Sequence, residues 1–206
     1  MRTSRSSKLE KKHKVFKEEQ RTQNFCRRSF LLYNDLVNTY IFAVIEMKRI
    51  AKFEKVSEEQ YAADTDAPDT YENIVLPVRA TEGSAGYDIF SPKSFILQPG
   101  ESTKIATGLR VKMQPGWVLF ILPKSGLGTR YRSQLDNTCG VVDSDYYFAE
   151  NEGHIIISMT NDSRAGLEME VVAGKAFAQG IFLPYGITED DDADGKRTGG
   201  FGSTGV

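Results

Sequence analysis

From Pro77 to the C-terminus the chain consists of short apolar runs separated by Gly, Pro, Asn and Asp, and this punctuation limits the folds it can adopt. Many short runs bounded by turn-forming residues are typical of a β-sandwich or barrel. We therefore predict an all-β jelly roll, with no long helix after Pro77. The predicted strands are Ser94 to Leu97, Thr103 to Ala106, Leu109 to Met113, Trp117 to Leu122, His154 to Thr160, Met169 to Val172 and Phe177 to Phe182.

The first 46 residues differ in charge from the rest of the chain. They contain ten Lys or Arg and five acids, so the remainder is acidic by about seven charges, although the whole chain carries only −2. Apolar residues recur at helical spacing from Phe30 to Val44, which indicates a short amphipathic helix after a basic tail. A strand-like stretch begins at Met47, which reads equally well as the true start of the protein. We predict three parts: a dispensable basic, partly helical extension (1–46), a β domain (47–188) and a flexible Gly-rich lid (189–206).

The cysteines and histidines limit which disulfides and metal sites the chain can form. The chain has two residues of each type, which are Cys26, Cys139, His13 and His154. Their spacing suggests neither a disulfide framework nor a thiolate zinc site, and two His exclude a His-clustered metal hydrolase. The most apolar run, Phe30 to Met47, contains Asp35 and two Asn and is too polar to span a membrane. A cytoplasmic location fits best, while organelle or nuclear targeting by residues 1–46 stays open.

Five motifs follow one another in the second part of the chain. They are PVRATEGSAGYD (77–88), PKSGLG (123–128), GVVDSDY (140–146), GKAFAQ (174–179) and GGFGSTG (199–205). Any one of them is explained as well by a turn and a strand. All five in this order resemble the motifs of the trimeric dUTPase family.

The resemblance implies a function and an assembly. It implies a jelly-roll subunit that hydrolyses dUTP to dUMP and pyrophosphate with Mg²⁺, by in-line attack of water at the α-phosphorus. Such an enzyme limits uracil incorporation into DNA and supplies dUMP for thymidylate synthesis. It also implies a homotrimer whose active sites are shared between subunits, with no membrane partner and no nucleic-acid binding by the β domain.

The third motif carries the predicted base. We expect Val141 and Val142 to bury this segment while Asp143 projects into a cleft. By resemblance Asp143 orients and deprotonates the attacking water. Asp145 is the rival base, or it caps a turn. Tyr146 resembles the tyrosine that packs beneath the deoxyribose and excludes a 2′-hydroxyl, although without the motif a core aromatic is an equal interpretation.

Phosphate-binding residues are predicted in the second and fourth motifs. A Gly-containing loop at Lys124, Ser125 and Gly126 would offer backbone N–H groups, a hydroxyl and a cation to phosphate oxygens, or it is a plain turn. The family usually has Arg at the position of Lys124, and Lys acts as a point charge rather than as a bidentate fork. Gln179 is a polar residue in an apolar strand, and by resemblance it contacts the α-phosphate and the water.

The contacts with uracil and with the metal are assigned to three other segments. Asn137 matches the family's uracil-facing amide, or it forms a turn. Gly140 and Val142 complete the predicted nucleotide pocket. Asp88 ends a strand-like segment and matches the aspartate that holds Mg²⁺ through water, with an ion pair to Arg79 as the structural alternative.

Two departures from the family pattern concern the lid and an insertion. Ungapped alignment places Lys196 at the family's lid arginine, whereas Arg197 matches it only with one deletion. By resemblance, the lid would bring Lys196 or Arg197 to the γ-phosphate and stack Phe201 on uracil, with Gly202 and Ser203 beside the substrate. Residues Tyr147 to Asn151 are inserted after the third motif, and we predict an exposed hairpin loop there.

Two other functions fit parts of the sequence. A dCTP deaminase of the same fold is the nearest enzyme, but the complete lid together with Asn137, Asp143 and Tyr146 favours the triphosphatase. A regulatory module that only senses dUTP, and engages a partner through the insertion or the basic tail, would add to catalysis rather than replace it.

Overall fold

The computed structural model describes residues 48–195 and residue 199, which lie almost entirely in the compact unit Ile50–Val206. The strands are β1 (Ala51–Lys55), β2 (Val78–Arg79), β3 (Tyr87–Phe90), β4 (Phe95–Leu97), β5 (Ser102–Ala106), β6 (Leu109–Met113), β7 (Trp117–Pro123), β8 (Gln134–Leu135), β9 (Gly140–Val142), β10 (Ile156–Thr160), β11 (Met169–Val171) and β12 (Ala176–Pro184). The helices are α1 (Glu58–Asp64) and α2 (Ser125–Tyr131), with 3₁₀ turns at Pro68–Asn73 and Tyr146–Phe148. In this part of the chain no helix has the length and apolar character needed to cross a membrane.

Within residues 48–195, four antiparallel sheets enclose one core. The largest has the order β2-β3-β12-β7-β9, a second has the order β5-β10-β8, and two pairs are formed by β1 with β6 and by β4 with β11. Strand β6 shows the period of two that a half-buried strand requires, because its first, third and fifth residues are buried. Every sheet contributes fully or almost fully buried side chains to the core, which include Ile89, Leu97, Ile105, Leu109, Leu119, Met159, Met169 and Phe177. The predicted all-β jelly roll is confirmed.

All seven predicted strands are present, with shifted ends. The strand predicted from His154 begins only at Ile156, because the His154 amide donates to the Asn151 carbonyl and so still belongs to the preceding turn. The strand-like stretch after Met47 forms β1. Strands β2, β8 and β9 have only two or three residues and were not predicted. Asp88 is the second residue of β3, so it stands near the start of a strand and not at its end as expected.

Helix α1 is stabilised by its first turn and is anchored by a buried tyrosine. The Ser57 hydroxyl caps it by accepting a hydrogen bond from the Gln60 amide at 3.1 Å, and Glu58 and Glu59 place negative charge at the positive end of the helix. Tyr61 anchors the helix because its side chain is fully buried and its hydroxyl lies 2.7 Å from the Thr70 hydroxyl. The helix therefore packs on the β domain instead of extending into solvent.

Candidate active site

The register of the largest sheet brings three predicted site residues together. Gln179 of β12 pairs with Asp88 on one side and with Leu122 of β7 on the other. Lys124 follows the end of β7, and its ammonium group donates to the Asp88 carboxylate in a partly buried ion pair. We call Asp88, Lys124 and Gln179 the Lys124 cluster. Its ion pair joins Asp88 to Lys124, whereas the alternative interpretation from sequence had Arg79 as the partner.

The Gln179 amide is held between two pieces of backbone. Its Nε2 donates to the Pro123 carbonyl at 3.3 Å. On the other side, a Cβ atom at Gly86 would lie 2.8 Å from Gln179 Oε1, closer than real Cβ contacts come. Gly86 therefore leaves the space that this amide occupies. Sequence reasoning missed this role, although the position of Gly86 within the first motif was a signal for it.

The segment after β7 is a helix and not a Gly-containing loop or a plain turn. Lys124 is the N-cap of α2, and its carbonyl accepts from the Gly128 amide at 3.0 Å. Ser125 and Gly126 in the first turn are exposed, and no atom lies within 4 Å of a Cβ built at Gly126. The hydroxyl and the glycine backbone therefore face open space beside the Lys124 cluster.

Asp143 follows β9 in a tight turn. Its carbonyl accepts from the Tyr146 amide at 3.2 Å, and its side chain is half-buried, whereas Asp145 is exposed at the N-cap position of the 3₁₀ turn and makes no side-chain cap hydrogen bond there. We call residues 143–146 the Asp143 turn. Val142 is buried as expected, but Val141 is 54% exposed, so the prediction that both bury the segment is wrong for Val141. The cause is the alternation of side chains along a strand.

Tyr146 is part of the hydrophobic core and is 6% exposed. Its hydroxyl donates to the His154 carbonyl at 2.8 Å and accepts from the Asn151 amide at 3.0 Å. The ring thus has a fixed position, and only a small part of it reaches the surface at the Asp143 turn.

Asn137 is exposed in a turn between β8 and β9. Thr138 has a left-handed φ of 70°, and the Asn137 carbonyl accepts from the Cys139 amide at 2.8 Å. Gly140 is constrained by the sheet, because a Cβ there would lie 3.1 Å from Ile121 Cβ. The Asn137 side chain is therefore available at the surface, while Gly140 serves packing.

The Lys124 cluster and the Asp143 turn lie apart within one chain. Gln179 pairs with Leu122 of β7, whereas Val142 pairs with Leu119 on the opposite side of the same strand. Three residues along β7 correspond to about 10 Å, and two strand spacings add about 9.6 Å across the sheet. Strand β9 also runs away from the Lys124 end. The residues that would bind phosphate and the predicted base are thus not neighbours in a single subunit.

Comparisons with known proteins point to one family. The dUTPase family model matches residues 72–205. The deoxyuridine 5′-triphosphate nucleotidohydrolase of Lactococcus lactis is 41% identical over 136 residues, which cover 65% of this chain and 89% of the relative. The Haemophilus influenzae protein of the same name is 39% identical over 138 residues, covering 63% and 87%.

The chain belongs to the dUTPase family.

A solved structure supports the same assignment at the level of the fold. The dUTPase from Streptococcus mutans is 32% identical, with a TM-score of 0.53 over 66% of this chain and 98% of that one. The family match, residues 72–205, includes the Lys124 cluster and the Asp143 turn. The lid residues Lys196, Arg197, Phe201, Gly202 and Ser203 lie outside the described residues, so their predicted contacts stay predictions.

The insertion in this family member is not the exposed hairpin that we predicted. Residues Tyr147 and Phe148 continue the Asp143 turn as a 3₁₀ turn, and within the insertion Phe148, 73% exposed, and Glu150 are exposed. The Tyr147 hydroxyl donates to Glu54 at 2.7 Å, and the Arg110 guanidinium carbon lies 4.7 Å from the Tyr147 ring centroid. Hydrogen bonds from Lys52 and then from Tyr147 lower the pKa of the Glu54 carboxyl. The insertion therefore packs against β1 and β6.

Proposed function

We propose that this chain hydrolyses dUTP to dUMP and pyrophosphate, with Asp143 as the general base. The observation that carries the proposal is the placement of a half-buried carboxylate in the turn after β9, next to Tyr146, within the dUTPase fold. Phosphorus chemistry of this kind requires little covalent participation by the protein. It depends on a positioned water and on groups that stabilise charge at the phosphate oxygens.

The Lys124 cluster supplies the groups for the phosphates. Lys124 offers a positive charge, and the Ser125 hydroxyl and the exposed Gly126 backbone stand beside it at the start of α2. The Gln179 amide, held against Pro123 and given room by Gly86, would contact the α-phosphate and the water. Pre-positioned donors of this type stabilise the charge that develops in the transition state.

The cofactor we propose is Mg²⁺, held through water by Asp88. In the described residues no group of three or more His, Cys, Asp or Glu could hold a metal by itself. A single carboxylate fits Mg²⁺ nonetheless, because this ion prefers substrate phosphate oxygens and water over an all-protein cage. When bound, it would neutralise charge on the phosphate oxygens. Asp88 would then exchange its contact with Lys124 for the ion's water ligands, and Lys124 would be released to the phosphates.

A homotrimer explains the distance between the two parts of the site. If each active site takes the Asp143 turn from one subunit and the Lys124 cluster from the next, threefold symmetry generates three complete sites. Asn137 and Val142 from the first subunit would line the nucleotide pocket. The lid would complete the site with Phe201 over uracil and with Lys196 or Arg197 at the γ-phosphate.

Asp143→Asn tests the assignment of the base. An amide keeps the shape of the side chain but cannot accept the proton of water, so single-turnover hydrolysis should slow by roughly 10²- to 10⁴-fold. Binding of dUTP with Mg²⁺ should stay near the wild-type affinity, because the carboxylate acts mainly in the transition state. Rapid-quench kinetics and calorimetry measure the two quantities.

The matched control is Asp145→Asn, two residues away on the same turn. It should retain hydrolysis within a few-fold of wild type, since Asp145 is exposed at the N-cap position of the 3₁₀ turn and has no role in the proposed mechanism. If Asp145→Asn loses turnover while Asp143→Asn keeps it, the base has been assigned to the wrong carboxylate.

A further inference from the structure

The segment that follows the Asp143 turn closes back on Tyr146 through the side chain of Asn151. The Asn151 Nδ2 group donates to the Tyr146 hydroxyl at 3.0 Å and lies 3.3 Å from the His154 carbonyl. Its Oδ1 accepts from the Gly153 amide at 3.2 Å. An amide side chain provides both the donors and the acceptor that this arrangement needs, which neither Asp nor Ala can do.

The backbone around the Asn151 side chain has little conformational freedom. Gly153 has a φ of 71°, and a Cβ atom there would lie 2.6 Å from the Tyr146 carbonyl oxygen. The His154 amide donates to the Asn151 carbonyl at 3.0 Å. A chain reversal with so many local constraints holds Tyr146 in one place.

The far end of the segment is anchored outside the family match. Glu152 accepts from the Ser57 amide at 2.8 Å and from its hydroxyl at 2.7 Å, and these bonds lower the pKa of the Glu152 carboxyl. His154 Nδ1 lies 2.6 Å from Asp64 Oδ2 at the end of α1. Ser57 and Asp64 both precede residue 72, where the family match begins. The N-terminal segment thus immobilises the residues that hold Tyr146.

We propose that Asn151 is a positioning residue that fixes the Tyr146 ring and thereby sharpens selection of 2′-deoxyribose over ribose. The inference rests on the proposed function, in which Tyr146 supports the sugar and a ring in van der Waals contact leaves no room for a 2′-hydroxyl. Asn151 itself touches neither substrate nor metal. It acts through the hydroxyl of Tyr146, and it lies in the insertion that distinguishes this chain from the usual family pattern.

The experiment compares dUTP with UTP. Asn151→Ala removes the bond to the Tyr146 hydroxyl, and one hydrogen bond of this kind corresponds to about a two- to tenfold change in an equilibrium. We expect the ratio of kcat/KM for dUTP over that for UTP to fall by about this factor, mainly through better use of UTP. Glu150→Ala, an exposed neighbour, should leave the ratio unchanged. An unchanged ratio in folded Asn151→Ala would overturn the inference.

A double-mutant cycle separates positioning from general loss of structure. Tyr146→Phe keeps the buried ring and removes the hydroxyl, which accepts from Asn151 and donates to the His154 carbonyl. In the Tyr146→Phe background, Asn151→Ala should lower the discrimination ratio less than it does in wild type, because the bond that the two residues share is already absent. Additive effects would mean that Asn151 acts by another route and would contradict the proposal.

A binding measurement keeps this test separate from the test of the proposed function. Calorimetry with dUMP and UMP reports sugar selection without hydrolysis, and we expect the preference for dUMP to weaken in Asn151→Ala. Absence of dUTP turnover in the wild-type protein would defeat the proposed function. Equal dUMP preference in wild type and Asn151→Ala would defeat the positioning role.

Discussion

At the scale of single residues, His154 is the buried titratable side chain with the clearest coupling to stability. It is fully buried, and its Nε2 accepts from the Gly108 amide at 2.8 Å, so that nitrogen carries no proton. The remaining proton is therefore on Nδ1 and is donated to Asp64. Burial lowers the pKa of His154, while the Asp64 and Glu152 carboxylates oppose the shift. The folded protein thus favours the neutral imidazole.

This arrangement predicts a loss of stability in acid. In the unfolded chain His154 has its ordinary pKa of 6.5, and in the folded chain the pKa is lower, so the unfolded state binds more protons between the two values. The contribution of His154 is fully present above pH 6.5 and is lost as the pH falls toward the folded-state pKa. Thermal unfolding followed from pH 8 to pH 5 measures this decrease.

The variant that isolates the effect is His154→Gln, which does not titrate. It should be less stable than wild type at pH 8 but should show a flatter pH dependence between pH 7 and pH 5. His13→Gln, in the basic N-terminal stretch, should keep the wild-type slope. If His154→Gln loses as much stability on acidification as wild type does, the pH dependence comes from other groups.

The sequence predicts site residues that belong to motifs better than those that depend on contacts. The structure brings Asp88, Lys124 and Gln179 together, as the first, second and fourth motifs suggest. The role of Gly86 depends on its distance to Gln179, and the role of Asn151 depends on a chain reversal. The position of Gly86 in the first motif is a signal that it has a role, but spacing does not show either contact, because each joins two backbone segments through one side-chain amide.

At the scale of elements, β1 and α1 connect the N-terminal part of the domain to the site. Strand β1 pairs with β6 along its whole length, and α1 brings Ser57 and Asp64 to the segment after the Asp143 turn. These contacts begin at residue 50, where the Ile50 carbonyl accepts from the Gln114 amide at 2.9 Å. The contacts described here do not require residues 1–46.

Two deletions test where the functional domain begins. Removal of residues 1–46 should leave folding and trimer formation intact and should change the hydrolysis rate by less than about tenfold, or roughly 1.4 kcal/mol in the barrier. Removal of residues 1–64 should lower the melting temperature strongly, because β6 loses its partner and Glu152 and His154 lose theirs. Calorimetric melts and steady-state kinetics compare the two proteins.

A single substitution tests part of what the longer deletion removes. Ser57→Ala removes the cap of α1 and one hydrogen bond to Glu152, and loss of such a cap typically costs about 1 kcal/mol. If the 1–46 deletion unfolds the protein while Ser57→Ala has no effect on stability, the domain boundary and the anchoring role of Ser57 are both wrong.

Strands were predicted correctly where they were long enough to show a hydrophobic period of two. Strands β5, β6, β7 and β12 have five or more residues and were predicted close to their observed bounds. A strand of two or three residues, such as β2, β8 or β9, is too short for a period of two to be recognised. Helix α2 was missed because its two glycines read as a loop, and the insertion was predicted as a hairpin because its contacts with β1 and β6 are distant in sequence.

At the scale of the whole molecule, the order of strands in the largest sheet separates the two parts of the proposed site, and an assembly would have to bring them together. Strands β12 and β9 flank β7, so the Lys124 cluster and the Asp143 turn stay apart however the side chains rotate. A monomer with full activity in light scattering combined with kinetics would therefore contradict the proposed trimer. The sequence alone indicates the motifs but not this distance, because the distance depends on the register of β7 with two partners.

Mixing two inactive variants tests whether sites are shared. In the proposed trimer, Asp143→Asn would damage the part of a site that one subunit supplies, and Gln179→Ala would damage the part that its neighbour supplies. When the two proteins are unfolded together and refolded as mixed trimers, about one quarter of the sites receive both intact parts by random assembly. Each variant refolded alone is the control. A mixture that remains as inactive as its components would show that each site is built from one chain.

The separation of the two parts across one sheet also has a genetic consequence. Two defective alleles of this gene, one altered in the Asp143 turn and the other in the Lys124 cluster, would complement each other in the same cell through mixed trimers. Two alleles altered in the same part would not. A table of pairwise complementation among missense alleles would therefore divide into two groups, and that division would map the two surfaces of the enzyme without a structure.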